Sequence, residues 1–129
     1  MAEGIVVRPA HFPGRAPVDA YGNGGFRFAD MSHRGSILCL PSGIHGWQPA
    51  DPTALAAADF ETLFAEAGDV EILLVGMGRE PLPLPRALKE AFRERGIAAD
   101  TMATGAAVRT FNVLLAEDRA VAAALIAVD

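Results

Sequence analysis

The stretch from Asp69 to Val128 constrains this chain more than any other. It contains two apolar runs, VEILLV (Val70–Val75) and AVAAALIAV (Ala120–Val128), separated by an amphipathic segment and by MATGAAVRTFNVLL (Met102–Leu115). Pro85 suits a first helical turn, after which Leu84, Ala87, Leu88, Ala91 and Phe92 draw one apolar stripe. Arg86, Lys89, Glu90, Arg93 and Glu94 take the opposite face, Gly96 supplies the stop, and Ile97–Met102 returns as a strand. The pattern predicts a βαβαβ unit.

The helix in the central segment differs from the one before it. With Thr104 as N-cap, Ala107, Val108, Phe111, Leu114 and Leu115 share one face, while Ala106 and Val113 lie almost opposite. A helix apolar nearly all round is expected to be buried on more than one side. Arg109 and Asn112, at i and i+3, form its narrow polar flank.

Connections this short favour parallel strands joined by right-handed crossovers. The glycine loop Gly76–Gly78 and the start of the central helix then leave the sheet at the same edge, where open α/β sheets hold their ligands. A candidate anion cleft follows, built from Gly76, Gly78, Thr104, Gly105, Arg109 and Asn112, since free N–H groups at a helix start attract negative charge. A structural reading stands beside it: Arg109 pairs with an acidic neighbour and Asn112 holds a loop through backbone groups. The loop lacks the third glycine of a dinucleotide fingerprint and runs into a proline-rich bend.

Before this unit the signals are shorter. Pro9, Pro13, Pro17, Gly14, Gly22, Gly24 and Gly25 make residues 1–25 an irregular arm, with a short strand at Ile5–Val7, ahead of a core at 26–129. The GNGG at Gly22–Gly25 reads as a turn. Phe26 and Phe28 alternate about Arg27, DMSHRG resembles a turn, and Ser36–Leu40 completes a predicted hairpin, with Gly43–Trp47 as a further strand. Asp51-Pro52 and Asp59 both offer helix starts, and Asp59 is preferred because Phe60, Leu63, Phe64 and Ala67 recur at helical spacing before Gly68. The whole is a single α/β domain with a hairpin-rich N-terminal half and a βαβαβ C-terminal half.

Composition narrows the function. A chain of 129 residues is one domain by length. Sixteen acidic against eleven basic residues give a formal charge of −5, and Glu90 and Glu94 interrupt the cluster Arg86, Lys89, Arg93 and Arg95, which argues against nucleic-acid binding. Cys39, the one cysteine, lies in the apolar run SILCLP and reads as core. His11, His33 and His45 lack metal-ligand spacing, and Ser36 and Ser42 lack a nucleophile elbow, so neither a metal, a cofactor nor hydrolase chemistry is expected. Without a leader or an apolar run of membrane-spanning length, the expectation is a soluble cytoplasmic protein. Trp47, beside a loop, is a candidate partner contact, with core packing as the alternative.

Five segments in order, YGNGGFRF, RGSILCLPSGIHGW, VEILLVGMG, RGIAADTMATGAAVRTFNVLLAEDR and AVAAALI, make the chain resemble a small α/β family. Its eukaryotic member is the mitochondrial complex I assembly factor 3, and its bacterial members look functionally uncharacterised. The resemblance covers about residues 20 to 128. It implies a three-layer fold with a mixed central sheet flanked by helices. It also implies a non-enzymatic interaction protein with a protein partner, in the manner of an assembly factor for a membrane-associated respiratory complex. An anion binder or enzyme using the glycine-loop cleft is the alternative. The family's signature positions fall at Gly76, Gly78, Met102, Thr104, Arg109, Thr110 and Asn112, while Met77 and Val108 stand where many relatives carry threonine and cysteine.

Overall fold

The computed structural model describes residues 12–129, which form two sheets. The smaller one comes first: β1 (Ala20–Gly22), β2 (Gly25–Phe28) and β3 (Met31–Arg34), antiparallel in that order. Phe26 and Phe28 turn inward and Arg27 outward, as their alternation predicts.

The predicted partner of this strand requires correction. DMSHRG is not a turn, because Met31–Arg34 is itself a strand that pairs with β2, with Phe26 opposite His33. The chain reverses at Ala29 and Asp30, whose φ values of 48° and 62° are left-handed, the two-residue geometry that matches hairpin twist. Without a glycine there, Asp30 is the turn's one sequence signal. β1 likewise falls within the arm expected to be irregular, and the strand expected at Ile5–Val7 lies outside the described residues.

The larger sheet contains β4 (Ser36–Leu40), β5 (Gly43–Trp47), β6 (Ile72–Gly76), β7 (Ala98–Met102) and β8 (Val121–Leu125), in the order β5-β4-β8-β6-β7. β6 runs parallel to both β7 and β8, whereas β4 is antiparallel to β8 and β5, so the sheet is mixed.

Between β5 and β6 the expected helix at Phe60–Ala67 shrinks to α1 (Glu61–Phe64), flanked by 3-10 turns at Ala57–Phe60 and Ala67–Asp69. Both start signals are used, each for a short element. Asp51 caps the turn Pro52–Ala54 by accepting from Thr53 N, and the Asp59 carboxylate reaches back to Ala56 N at 2.9 Å.

The crossovers from β6 through α2 (Arg86–Glu94) to β7 and from β7 through α3 (Thr104–Ala116) to β8 run in opposite directions across the sheet. Right-handed connections therefore put the two helices on opposite faces. Leu88 and Phe92 of α2 share a core with Leu73, Val75, Ala122 and Ala124. Ala107, Val108 and Phe111 of α3 pack with Ile37, Cys39, Leu74 and Ala123 in the other. Alanines at 122–124 keep the central strand thin, which lets layers close on both sides.

Trp47 belongs to the first core. It is 8% exposed, meets the Phe60 ring at a tilt with centroids 5.3 Å apart, and donates its indole N–H to Asp59 O at 2.7 Å, so its apolar surface is spent internally. Phe60 meets Phe92 edge-on at 5.0 Å. α3 is covered by the large sheet and by the segment around Val18 and Tyr21, and leaves a strip open at Arg109, Val113 and Ala116. Burial on more than one side holds, but Val113 is 57% exposed on the open strip beside Arg109.

Candidate functional site

β6 and β7 end together, as parallel pairing predicts, and the backbone there is tightly tied. Met77 N donates to Met102 O at 2.8 Å, and Thr104 N donates to Gly78 O at 2.8 Å. The Thr104 hydroxyl, fully buried, accepts from Gly78 N at 2.9 Å and donates to Ile126 O at 2.7 Å. One side chain thus joins the glycine loop, the helix start and the end of β8. Ala103 is the residue before the helix and supplies no side-chain cap.

Two glycines make this junction. A β-carbon on Gly76 would lie 3.0 Å from the Thr104 Cα and 3.0 Å from Leu125 Cδ2, so a larger residue would wedge strand from helix. Gly78 adopts φ +95°, a left-handed conformation that favours glycine.

Outside the junction lies a shallow depression of about 400 Å³, lined by Gly78, Arg79, Gly105, Arg109, Tyr21 and Asp129 among others. The structure therefore brings Gly78, Gly105 and Arg109 together at one surface. Among the described residues neither Arg79 nor Arg109 makes an ion pair or a side-chain hydrogen bond. Gly105 matters by its lack of a side chain, since a β-carbon there would lie 2.8 Å from Tyr21 Cζ. Tyr21 covers it and remains 41% exposed.

Gly76 and Thr104 sit beneath this surface as its frame. Asn112 points elsewhere: its Oδ1 accepts from Val18 N at 2.9 Å and its Nδ2 donates to Val18 O at 2.8 Å. Met77 and Val108 are both buried in the cores, one on each face of the sheet, so their departures from the family pattern do not reach the depression. Sequence reasoning missed Arg79 and Tyr21. Arg79 directly follows the glycine loop and could have been included on that ground. Tyr21 reaches the site only because the small sheet folds over α3.

A second polar cluster lies at the β4–β5 turn. Ser42 Oγ donates to Glu66 Oε2 at 2.5 Å and lies 3.0 Å from His45 Nε2, while Ser42 N donates to Glu66 Oε1. In a hydrolase the histidine takes the serine proton and the carboxylate orients the histidine. Here the carboxylate takes the hydroxyl directly, and the group fastens the turn to the segment after α1. Among the described residues no three histidine, cysteine or acidic side chains gather as metal ligands.

The fold has counterparts. An uncharacterised protein of Rhodobacter capsulatus is 40% identical over 119 residues, covering 92% of this chain and 90% of that one. The NADH dehydrogenase [ubiquinone] 1 alpha subcomplex assembly factor 3 of Mus musculus is 30% identical over 122 residues. That match covers 95% of this chain but 66% of the mouse protein. The crystal structure of a protein described as an outer membrane protein from Bartonella henselae superposes with a TM-score of 0.89 at 61% identity, covering 92% of this chain and all of that one. The family model described as protein of unknown function (DUF498/DUF598) matches residues 18–126, from Val18, which Asn112 clasps, to the residue after β8, and the chain belongs to that family.

Proposed function

We propose that this chain is an interaction protein that helps to assemble a membrane-associated respiratory complex. The observation that carries the reading is its 30% identity, over 95% of its own length, to a protein named for assembly of NADH dehydrogenase. The description of the Bartonella protein as an outer membrane protein also points toward membrane-associated work. The surface agrees in kind: Val113 on α3 and Tyr21 beside it are large apolar side chains left exposed by the fold, and aromatic anchors are enriched at protein interfaces. No helix among the described residues is long and apolar enough to cross a membrane, so contact with such a complex would run through its subunits. Affinity capture of the tagged chain from its host, with mass spectrometry of the bound proteins, tests this. Enrichment of respiratory-complex subunits is expected, and their absence at endogenous expression would refute it.

A second reading concerns the depression at the helix start. Two unpaired guanidinium groups, Arg79 and Arg109, flank an N-terminus that no side chain caps, an arrangement that suits a small anion. On this reading inorganic phosphate at a hundredfold over its Kd raises stability by about 2.7 kcal/mol. Arg109→Ala removes that response and leaves the unliganded melting temperature unchanged. A melting temperature that phosphate and carboxylates do not move would rule the anion site out.

A further inference from the structure

The two edges of the large sheet are treated differently. Beyond β5, the chain covers its own edge: Phe12 N donates to Ile44 O at 3.0 Å and Ile44 N to Phe12 O at 2.9 Å. Beyond β7 no further strand pairs among the described residues. Ala98 N donates to Glu71 O, and Met102 O accepts from Met77 N. In a parallel ladder this phase commits the backbone groups of Ala98, Asp100 and Met102 to β6. The N–H and C=O groups of Ala99 and Thr101 therefore point outward, and among the described residues no backbone group meets them.

Edge strands are usually guarded by proline, charged side chains or a bulge, and of these β7 has one, Asp100. β7 reads Ala-Ala-Asp-Thr-Met, pairs with β6 in unbroken register, and is partly exposed along its length. On the α2 side the edge borders a hollow of about 320 Å³ lined by Lys89, Phe92, Arg93, Ile97, Ala98 and Ala99. On the α3 side it presents the exposed carboxylate of Asp100. The edge is thus cationic on one face and anionic on the other.

Resting on the reading of the chain as an interaction protein, we propose that the outer edge of β7 is a docking site for an extended segment of a partner protein. That segment adds a sixth strand, with an acidic side chain toward Lys89 and Arg93 and a basic one toward Asp100. Consecutive side chains of a strand point to opposite faces, so adjacent residues of opposite charge meet both requirements. A second copy of this chain fits poorly. The antiparallel register that uses all the free groups of both edges sets Asp100 against Asp100, and like charges directly opposite are unfavourable.

The test uses the whole chain and a capped seven-residue peptide whose glutamates point to one face and whose lysine points to the other. Amide exchange of Ala99 and Thr101 should be unprotected in the free chain and slow by about tenfold or more at saturating peptide. A peptide with the charges reversed should protect them less. Thr101→Pro removes one outward N–H at a position where edge strands tolerate proline, and should abolish the response. Four exchange results overturn the proposal: no slowing at millimolar peptide, equal protection by the reversed peptide, an unchanged response in folded Thr101→Pro, or concentration-dependent protection in the free chain, which would mean self-pairing. If Thr101→Pro fails to fold, the two peptides on the native chain decide. Capture of respiratory subunits that survives in folded Thr101→Pro would overturn the edge and leave the broader function standing, while peptide protection without such capture would do the reverse.

Discussion

Asn112 pairs with the backbone of Val18 as a neighbouring strand would, accepting from its N–H at 2.9 Å and donating to its C=O at 2.8 Å. This clasp holds the segment leading into the small sheet against α3, with the Val18 side chain in the core beneath. Asn112→Ala leaves both backbone groups of Val18 without their partner and should cost about 2 kcal/mol in chemical denaturation. Asn112→Asp keeps the acceptor but turns a carboxylate oxygen toward Val18 O. The folded state then favours the protonated acid, so the variant's pKa rises above the unfolded value. Its stability relative to the parent should be greatest below the unfolded value of about 3.9 and be lost as pH rises through the folded pKa.

The Thr104 hydroxyl is both donor and acceptor in a dry junction. Thr104→Val preserves shape and removes both bonds, leaving Gly78 N–H and Ile126 C=O unpaired. Calorimetry should show a loss of about 1–3 kcal/mol, and Thr104→Ser should recover most of it.

Two glycine substitutions should part company. At Gly105 a β-carbon meets the far end of Tyr21, a half-exposed side chain that can swing into solvent, and alanine gains helix propensity there. Gly105→Ala should stay within about 1 kcal/mol of the parent while changing the Tyr21 signals in NMR spectra. At Gly25 the added carbon meets the His33 backbone, 3.1 Å from its carbonyl carbon, and cannot be accommodated by a rotamer change. Gly25→Ala should cost about 2–3 kcal/mol and disturb the β2–β3 pairing.

Cys39 is buried in β4, and burial pushes its thiol well above the ordinary value of 9.0. The native chain should therefore resist alkylation at pH 8 and react only on unfolding. The sign follows from linkage: above pH 9 the unfolded thiol ionises while the folded one keeps its proton. This residue thus favours unfolding by about 1.4 kcal/mol for each further pH unit. Denaturation midpoints of the parent and of Cys39→Ala between pH 8 and 10 should show the steeper alkaline loss in the parent.

The C-terminal half was legible in the sequence because its signals are local and strong. The stripe at Leu88 and Phe92, the stop at Gly96 and the apolar runs of β6 and β8 each require only neighbouring residues. Parallel pairing then placed the glycine loop beside the helix start. The three-layer mixed sheet came from family resemblance, and the comparisons and structure agree with it. What stayed hidden depends on distant partners. Asn112 finds Val18, Tyr21 covers Gly105, and Trp47 turns inward because Asp59 O awaits its N–H. The Ala29–Asp30 reversal was hidden for another reason: Asp30 tolerates the left-handed region, but Ala29 rarely does and no glycine accompanies them.

β8 is the last strand in sequence and the middle strand of its sheet, wedged between β4 and β6. During synthesis, β4 and β6 must therefore wait with unpaired flanks until residues 121–125 have left the ribosome. Ile37 then meets Leu125 only after nearly all the intervening chain exists. Closure couples distant parts of the chain, and such couplings fold slowly. A nascent chain stalled before β8 would expose two apolar strand edges at once, which makes the interval before β8 emerges the time when this protein itself is most in need of a chaperone.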